Sequence, residues 1–196
     1  INPDSITFSS LIHGCAKHGD SGKALFYFNE FEKMFFKIYK SKSDFKSIKF
    51  PFSHFNSNNF QTNLQIIYNS LIDAFAQQGD HMSTTKYFEK MKQNQITPTI
   101  VTFNSVIDSF STSGHTHGAV KYFDLILKHK LNPDLFTCNN MIHSFAVRGD
   151  LENCNHYFQM MKSHNLQPNV TIYNNLMHCH TTKNDKIGCE NCFNKM

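Results

Sequence analysis

The chain repeats itself at a period of 35 residues. An asparagine that follows an aromatic residue or a cysteine, and precedes a pair of bulky apolar residues, recurs at Asn69, Asn104, Asn139 and Asn174. An upstream copy has Ser9 in the place of the asparagine. Self-similarity at such a period is typical of a solenoid, in which each unit is one supersecondary block that packs mainly on its neighbours. The repeat therefore predicts a stack of units and excludes a single globular core.

Each unit is predicted to hold two α-helices. In the unit that starts at Gln65, apolar residues at i, i+3, i+4 and i+7 form one stripe over residues 66–77, which is the pattern of an amphipathic helix. Residues 82–94 carry a similar stripe and predict the second helix. Gly79 between them suits the left-handed turn that ends a helix, and Pro98 stops the second helix. The predicted fold is an all-α, right-handed α-solenoid of stacked two-helix repeats.

The other copies follow the same pattern. Their turn position holds Gly19, Gly114, Gly149 and Asn184. The period predicts these units: 1–4 as the end of a preceding repeat, 5–64, 65–99, 100–134, 135–169, and a partial unit at 170–196. The unit 5–64 exceeds the period by about 25 residues, which places an insert at 35–63.

Composition narrows the classes of partner. The net charge of +4 tolerates an anionic partner without demanding one. No run of about 18 apolar residues suggests a membrane span. Several of the six cysteines fall where other copies carry small or aromatic residues, as expected of buried side chains in a reducing compartment. We expect any targeting peptide to lie outside these residues.

Two families of helical repeat have a similar period. Tetratricopeptide repeats, which bind peptides, carry a glycine after the leucine of the first helix. Here that position holds bulky residues such as Ile72 and Ile107, so a peptide-binding scaffold of this type is the weaker alternative. The segment Ile-Val-Thr-Phe-Asn-Ser-Val-Ile-Asp-Ser-Phe at 100–110, followed by Leu-Asn-Pro-Asp at 131–134, closely resembles the pentatricopeptide repeat family. The resemblance extends over all of the chain except the insert.

The resemblance implies binding of single-stranded RNA along the concave face, with one base per repeat. It also implies a mitochondrial or plastid protein that acts in RNA processing, stability or translation. The alternative is a structural subunit of an organellar ribosome, which contacts rRNA and neighbouring proteins. In the family, the fifth and last residues of a unit meet one base edge, and the second residue packs on base faces. The edge-reading positions here are Ser9, Asn69, Thr99, Asn104, Asp134, Asn139, Asn169 and Asn174. The stacking positions are Ile6, Ile66, Val101, Phe136 and Thr171.

These residue types can distinguish pyrimidines. An Asn amide both donates and accepts hydrogen bonds, whereas an Asp carboxylate only accepts them. Asp134, paired with Asn104, suits the N3–H donor of uracil and repels the N3 acceptor of cytosine. Asn169, paired with Asn139, can donate to that cytosine nitrogen. We therefore predict uracil for the first of these pairs and cytosine over uracil for the second.

The remaining positions are less well defined. Asn69 pairs with Thr99, which predicts a pyrimidine without a stated preference. Ser9 would pair with the apolar Leu64, and no base is assigned there. The partner of Asn174 is expected beyond Met196.

Two features have alternative interpretations. Asparagine is a preferred residue at the start of a helix, so the recurring asparagines could serve only as caps or as vestigial contacts within a scaffold. The insert at 35–63 interleaves lysines with aromatic residues before it becomes rich in Asn and Ser. It is either a basic and aromatic arm that touches RNA, or a lengthened second helix followed by a surface loop.

Histidines and cysteines near the end of the chain raise the question of a metal. Residues 178–180 read His-Cys-His and precede Cys189 and Cys192, a combination that occurs in zinc sites and zinc deaminases. No His-x-Glu motif precedes the two cysteines, and Cys189 falls at the small-residue position of the repeat. Three histidines share one repeat position, which is typical of surface or inter-unit residues: His13, His143 and His178. We predict no metal site, no cofactor and no catalytic centre.

Overall fold

A computed structural model describes residues 3–39 and 57–196, with side-chain surroundings for 3–34 and 61–196. Within these residues the regular structure consists of ten α-helices. They are α1 (Ser5–Lys17), α2 (Ser21–Tyr39), α3 (Ser57–Ala76), α4 (His81–Gln93), α5 (Ile100–Thr112), α6 (Thr116–Lys128), α7 (Leu135–Ala146), α8 (Leu151–Ser163), α9 (Val170–Thr182) and α10 (Lys186–Lys195). None of the helices described is long and apolar enough to cross a membrane. The predicted all-α solenoid is confirmed.

The helices form five hairpins that stack in chain order. The first helix of each hairpin packs on the first helix of the next, in the series α1, α3, α5, α7 and α9. Each second helix from α2 to α8 packs on its own first helix and on the first helix of the following hairpin. Among the described residues, the backbones of successive second helices are further apart, and these helices meet through long side chains such as Phe88 and Tyr122. The first helices therefore lie closer together and line the concave side of the stack.

Stacked aromatic pairs join the two helices of the middle hairpins. Phe75 of α3 stacks on Tyr87 of α4 with ring centroids 5.6 Å apart, and Phe110 of α5 stacks on Tyr122 of α6 at 5.6 Å. A second aromatic of α4, Phe88, is fully buried and meets rings of the next hairpin edge to face. Both arrangements are favoured by the ring quadrupole and add to burial of apolar area. The repeated sequence thus produces one continuous core across the stack.

Two kinds of turn connect the helices. The turn within a hairpin has a positive φ at Gly19, Gly79, Gly114, Gly149 and Asn184, between 56° and 73°, which confirms the prediction from the turn glycines. The turn between hairpins also has a positive φ, at Gln95, Lys130 and Asn165, which sequence reasoning missed.

The turn after α4 shows why a residue other than glycine is accepted. The Ile96 amide donates to the Met91 carbonyl at 3.0 Å and the Gln95 amide donates to the Lys92 carbonyl at 2.9 Å. This is the Schellman arrangement, which satisfies carbonyls at the end of a helix. Ile96 and Met91 are both buried, so their packing fixes the turn whatever residue precedes Ile96.

The insert changes the helices on either side of it. The first helix of the second unit was predicted from residue 66, but α3 begins at Ser57. The difference arises because Asn63 and Leu64 stand where other boundaries carry a proline followed by a short polar residue. Nothing therefore interrupts the helix, and Leu64 is buried in the core. On the other side, α2 continues to Tyr39, as the lengthened-helix interpretation requires. The rest of the insert, 40–56, with most of its lysines, lies outside the described residues.

Candidate nucleic-acid interface

A row of exposed apolar side chains crosses the beginnings of the first helices. They are the predicted stacking residues, with exposed fractions of 60% for Ile6, 44% for Ile66, 55% for Val101 and 52% for Phe136. Thr171 is exposed at the equivalent place on α9. Solvated apolar residues at one repeat position, on helices that bury most of their apolar residues, mark a binding surface. We call this row the stacking row.

The edge-reading asparagines lie beside the stacking row and inside the helices. Asn104 is in the second turn of α5 and is 5% exposed. The interpretation of these asparagines as N-caps is wrong, because α5, α7 and α9 are capped by Thr99, Asp134 and Asn169. The last residue of a unit caps the next helix, since its short polar side chain reaches the free amides of the first turn. The fifth residue is therefore left for another role.

The first pair forms a closed network with a residue of the next unit. The Asn104 amide nitrogen lies 3.0 Å and 3.1 Å from the two carboxylate oxygens of Asp134. The Thr137 hydroxyl lies 2.6 Å from Asn104 Oδ1 and 2.8 Å from Asp134 Oδ1. The backbone amide of Thr137 also donates to Asp134 Oδ1, at 2.8 Å. These bonds fix both reading side chains in one position.

Within the described residues, the network leaves one N–H and one carboxylate lone pair unused. The Asn104 amide has a second N–H, and Asp134 Oδ2 accepts only from Asn104. One donor and one acceptor thus remain next to each other at the edge of the stacking row. Uracil offers the complementary arrangement, an N3–H donor beside carbonyl acceptors.

The preceding pair is arranged more loosely. The Thr102 hydroxyl donates to Asn69 Oδ1 at 2.7 Å, and the Asn69 amide N–H groups have no partner in the part of the chain that the structure describes. The Thr99 hydroxyl lies 3.4 Å from the Thr102 hydroxyl and makes no direct bond to Asn69. A hydroxyl can donate or accept, so this pair does not impose one pattern on a base.

The third pair depends on a different neighbour. Asn175 donates from its amide nitrogen to Asn139 Oδ1 at 3.1 Å, and its own oxygen lies 3.3 Å from His143 Nδ1. Asn169 uses its side-chain oxygen to cap α9, accepting from the Ile172 amide at 3.1 Å. The groups that Asn139 and Asn169 leave free are amide donors.

The remaining predicted positions are not assembled into pairs. Ser9 is half-buried, and its expected partner Leu64 is apolar and buried within α3. Asn174 is exposed on α9. The structure thus joins Asn104 to Asp134 directly and Asn69 to Thr99 through Thr102. Asn139 and Asn169 instead bond to different residues, Asn175 and Ile172.

A second row of polar residues lies one helical turn beyond the edge readers. It holds Asp73, Asp108 and His143, of which sequence reasoning singled out only the histidine. Burial raises the pKa of Asp108 to about 6, the nearby Asp73 carboxylate adds to the rise, and His143 opposes it. The shared repeat position of Asp73 and Asp108 was the signal that could have revealed this carboxylate pair.

The cysteines behave as buried apolar residues. Cys138, Cys154 and Cys179 are buried and carry free thiols. Burial raises the pKa of Cys138 to about 11 and raises those of Cys154 and Cys179 as well. Nowhere in 3–34 and 61–196 do three or more His, Cys, Asp or Glu side chains form a group that could hold a metal ion.

Models of pentatricopeptide repeats match most of the chain. The model described as a pentatricopeptide repeat domain matches residues 52–112, the PPR repeat family model matches 98–146, and the PPR repeat model matches 6–34 and 136–166. The chain belongs to the pentatricopeptide repeat family. No curated protein sequence gives a match to the chain.

Solved structures of the same family have a similar fold. PPR10 in complex with an 18-nt psaJ RNA element has a TM-score of 0.74 at 19% identity, over 98% of this chain and 25% of PPR10. The PPR domain of Arabidopsis thaliana protein-only RNase P 1, in complex with tRNA, has a TM-score of 0.68 at 13% identity. The match covers 97% of this chain and 88% of that domain. Nuclear proteinaceous RNase P 2 from A. thaliana has a TM-score of 0.62 at 16% identity. The match covers 99% of this chain and 38% of that protein. These likenesses establish the fold, and the chain spans about a quarter of the length of PPR10.

Proposed function

We propose that the chain binds single-stranded RNA in an organelle, mitochondrion or plastid, and acts there in RNA processing, stability or translation. Each complete unit reads one base on the concave face, without catalysis by the chain. The network of Asn104, Asp134 and Thr137 carries the proposal, because it holds a donor and an acceptor beside exposed apolar residues. The RNA complexes of PPR10 and of protein-only RNase P 1 support it by family likeness.

Stacking supplies most of the affinity in this arrangement. A base that meets Asn104 and Asp134 lies between Val101 and Phe136, which are the exposed residues of successive first helices. Base stacking on side chains contributes about 1–3 kcal/mol per base and depends little on base identity. Selectivity must then come from the edge contacts.

The edge contacts favour different pyrimidines. The free acceptor of Asp134 takes the N3–H of uracil, and Asn104 donates to a uracil carbonyl. The donors left free on Asn139 and Asn169 suit the N3 and O2 acceptors of cytosine. Asn69 and Thr99 suit either pyrimidine, because the Thr99 hydroxyl can donate or accept a hydrogen bond.

Charge contributes less than in most nucleic-acid binders. The net charge is only +4, and Asp73 and Asp108 place carboxylates one helical turn from the readers. Phosphate contacts determine the salt dependence of RNA affinity, so we expect a shallow dependence. Because attraction to the phosphates is weak, the edge contacts supply a larger share of the total binding free energy.

The test is a change at one reader that keeps the size of the side chain and removes its negative charge. Asp134→Asn keeps the helix cap, as Asn169 does at α9, but replaces an acceptor with an amide. We expect the ratio of affinities for oligo(U) and oligo(C) to fall roughly tenfold in this variant. Asp124→Asn, an exposed carboxylate on the second helix α6, makes the same charge change and should leave the ratio unaltered.

The affinities are measured for oligo(U), oligo(C), oligo(A) and duplex RNA over a series of salt concentrations. Binding to single-stranded pyrimidines that responds to Asp134→Asn supports base reading. Weak binding to every RNA, steep in salt and indifferent to Asp134→Asn, would refute it. That result favours the scaffold alternative, a structural subunit of an organellar ribosome.

A further inference from the structure

We infer that a residue of the following unit sets base selectivity by holding the reading amide in one orientation. Thr102, Thr137 and Asn175 are these positioning residues, for Asn69, Asn104 and Asn139 respectively. The inference rests on the proposed function, because it concerns how the same asparagines select a base.

The two threonines occupy the same place in successive units. Thr102 and Thr137 are each the third residue of a unit, and both are fully buried. Their hydroxyls lie 2.7 Å and 2.6 Å from the side-chain oxygens of Asn69 and Asn104 in the preceding units. Both are well-formed hydrogen bonds between neighbouring first helices.

The orientation of the amide determines what a base meets. An Asn amide turned by half a rotation exchanges its oxygen acceptor with its two N–H donors. A hydroxyl that donates to the oxygen occupies the acceptor and directs the amide nitrogen to the other side. An amide without this bond can present either group and so fits both uracil and cytosine.

The third reading unit supports the inference through a compensating change. The equivalent of Thr137 in the last unit is Ile172, which is fully buried and has no hydroxyl to donate. Asn175, three residues further along α9, instead donates to Asn139 Oδ1 at 3.1 Å. Units one to three carry serine at the position of Asn175, which is too short for this role: Ser10, Ser70 and Ser105. The amide of Asn139 therefore has its oxygen occupied as in the other units, by a different residue.

The first unit lacks both devices. The residue that would orient Ser9 is Ile67, which is fully buried and apolar, and the short Ser70 stands at the position of Asn175. This unit is also the one that ends in the apolar Leu64 and has no assigned base. The positioning residue and the complete reading pair are thus present or absent together.

The experiment uses the third reading unit, where the positioning residue is not part of a helix cap. Single cytosine-to-uracil changes along a bound RNA first locate the nucleotide at which the unaltered chain prefers cytosine. Asn175→Ala is expected to lower this preference about fivefold, as loss of one hydrogen bond implies. Adding Ile172→Thr to Asn175→Ala supplies the hydroxyl found in the other units and is expected to restore the preference.

A purely structural role predicts a different result. It would weaken binding to the cytosine and uracil RNAs equally and leave their ratio unchanged. Asn155→Ala, on the outer helix α8, is the matched control for loss of an exposed amide. In the second reading unit, Thr137→Val should reduce the uracil preference, and Thr137→Ser, which keeps the hydroxyl, should retain it.

The outcomes separate this inference from the proposed function. If the unaltered chain shows no base preference, the proposed function fails, and the inference fails with it. If the preference exists and survives Asn175→Ala and Thr137→Val, only the inference is overturned. Loss in both variants, with rescue by Ile172→Thr and Thr137→Ser, supports it.

Discussion

Asp108 is a carboxylate whose burial opposes folding at neutral pH. It lies on α5 between Asp73 of α3 and His143 of α7, and no side chain in the described part of the chain donates a hydrogen bond to it. Burial and the Asp73 carboxylate raise its pKa from 3.8 to about 6, while His143 acts in the opposite direction. We predict that Asp108→Asn stabilises the chain at pH 7.

The magnitude follows from linkage. A group whose pKa is higher in the folded state contributes stability that is complete below its unfolded pKa of 3.8, and that is lost as the pH rises through about 6. At about 1.4 kcal/mol per pKa unit, the loss for Asp108 approaches 3 kcal/mol. Asparagine brings its own polar amide, so the expected gain at pH 7 is about 2 kcal/mol, or roughly 4–8 °C in Tm.

The assay is thermal unfolding of both chains at pH 7 and at pH 4. At pH 4 the aspartate is protonated in the folded state and about 40% protonated in the unfolded state, so most of the difference between the two melting temperatures should disappear. Asp73→Asn should produce part of the same stabilisation at pH 7, because it removes the negative charge that helps to raise the pKa of Asp108. Asp124→Asn, a fully solvated carboxylate on α6, should change stability by no more than about 0.5 kcal/mol.

Two results would refute the reasoning about Asp108. Equal melting temperatures at pH 7 would mean that water or a donor solvates the carboxylate. A stabilisation of equal size at pH 4 would mean that the gain comes from side-chain shape and not from charge.

Two further predictions concern the ends of helices. Lys130→Gly should raise the free energy of unfolding by about 0.5–1 kcal/mol, because Lys130 has a φ of 55°. Lys121→Gly, an exposed position inside α6, should lower it by about 1 kcal/mol, and both changes are measured by urea unfolding. His115 begins α6 without a side-chain cap, whereas Asp80 and Asp150 cap α4 and α8. His115→Asp should therefore raise Tm by an amount equivalent to about 1 kcal/mol, and an unchanged Tm would show that the turn cannot accept a cap.

The period and its glycines were sufficient to predict the fold. Gly79 and Gly114 have the left-handed conformation expected of them, because few other residues adopt it without cost. The left-handed conformation of Lys130 was not predicted. It is imposed by packing at the end of α6, where Ile126 is buried. A local sequence signal cannot show a turn that tertiary packing fixes.

The site was predicted as residue positions and not as contacts. The family resemblance implied that Asn104 and Asp134 form a pair, and the structure places them in direct hydrogen bonding. Sequence did not show that Thr137 joins them, because that bond links two units and depends on how their helices pack. The role of Asp108 was also hidden, since periodicity does not report how strongly a polar residue is desolvated.

The bond from Thr137 to Asn104 crosses the boundary between two repeats. A duplication or deletion that breaks the chain at that boundary would separate a reader from the hydroxyl that orients it, although the helices would still stack. A breakpoint after the third residue of each unit would keep the set together, as in residues 103–137, which contain Asn104, Asp134 and Thr137. When repeats are exchanged between genes or grafted by design, the segment that must be transferred intact is therefore offset from the folding unit by three residues.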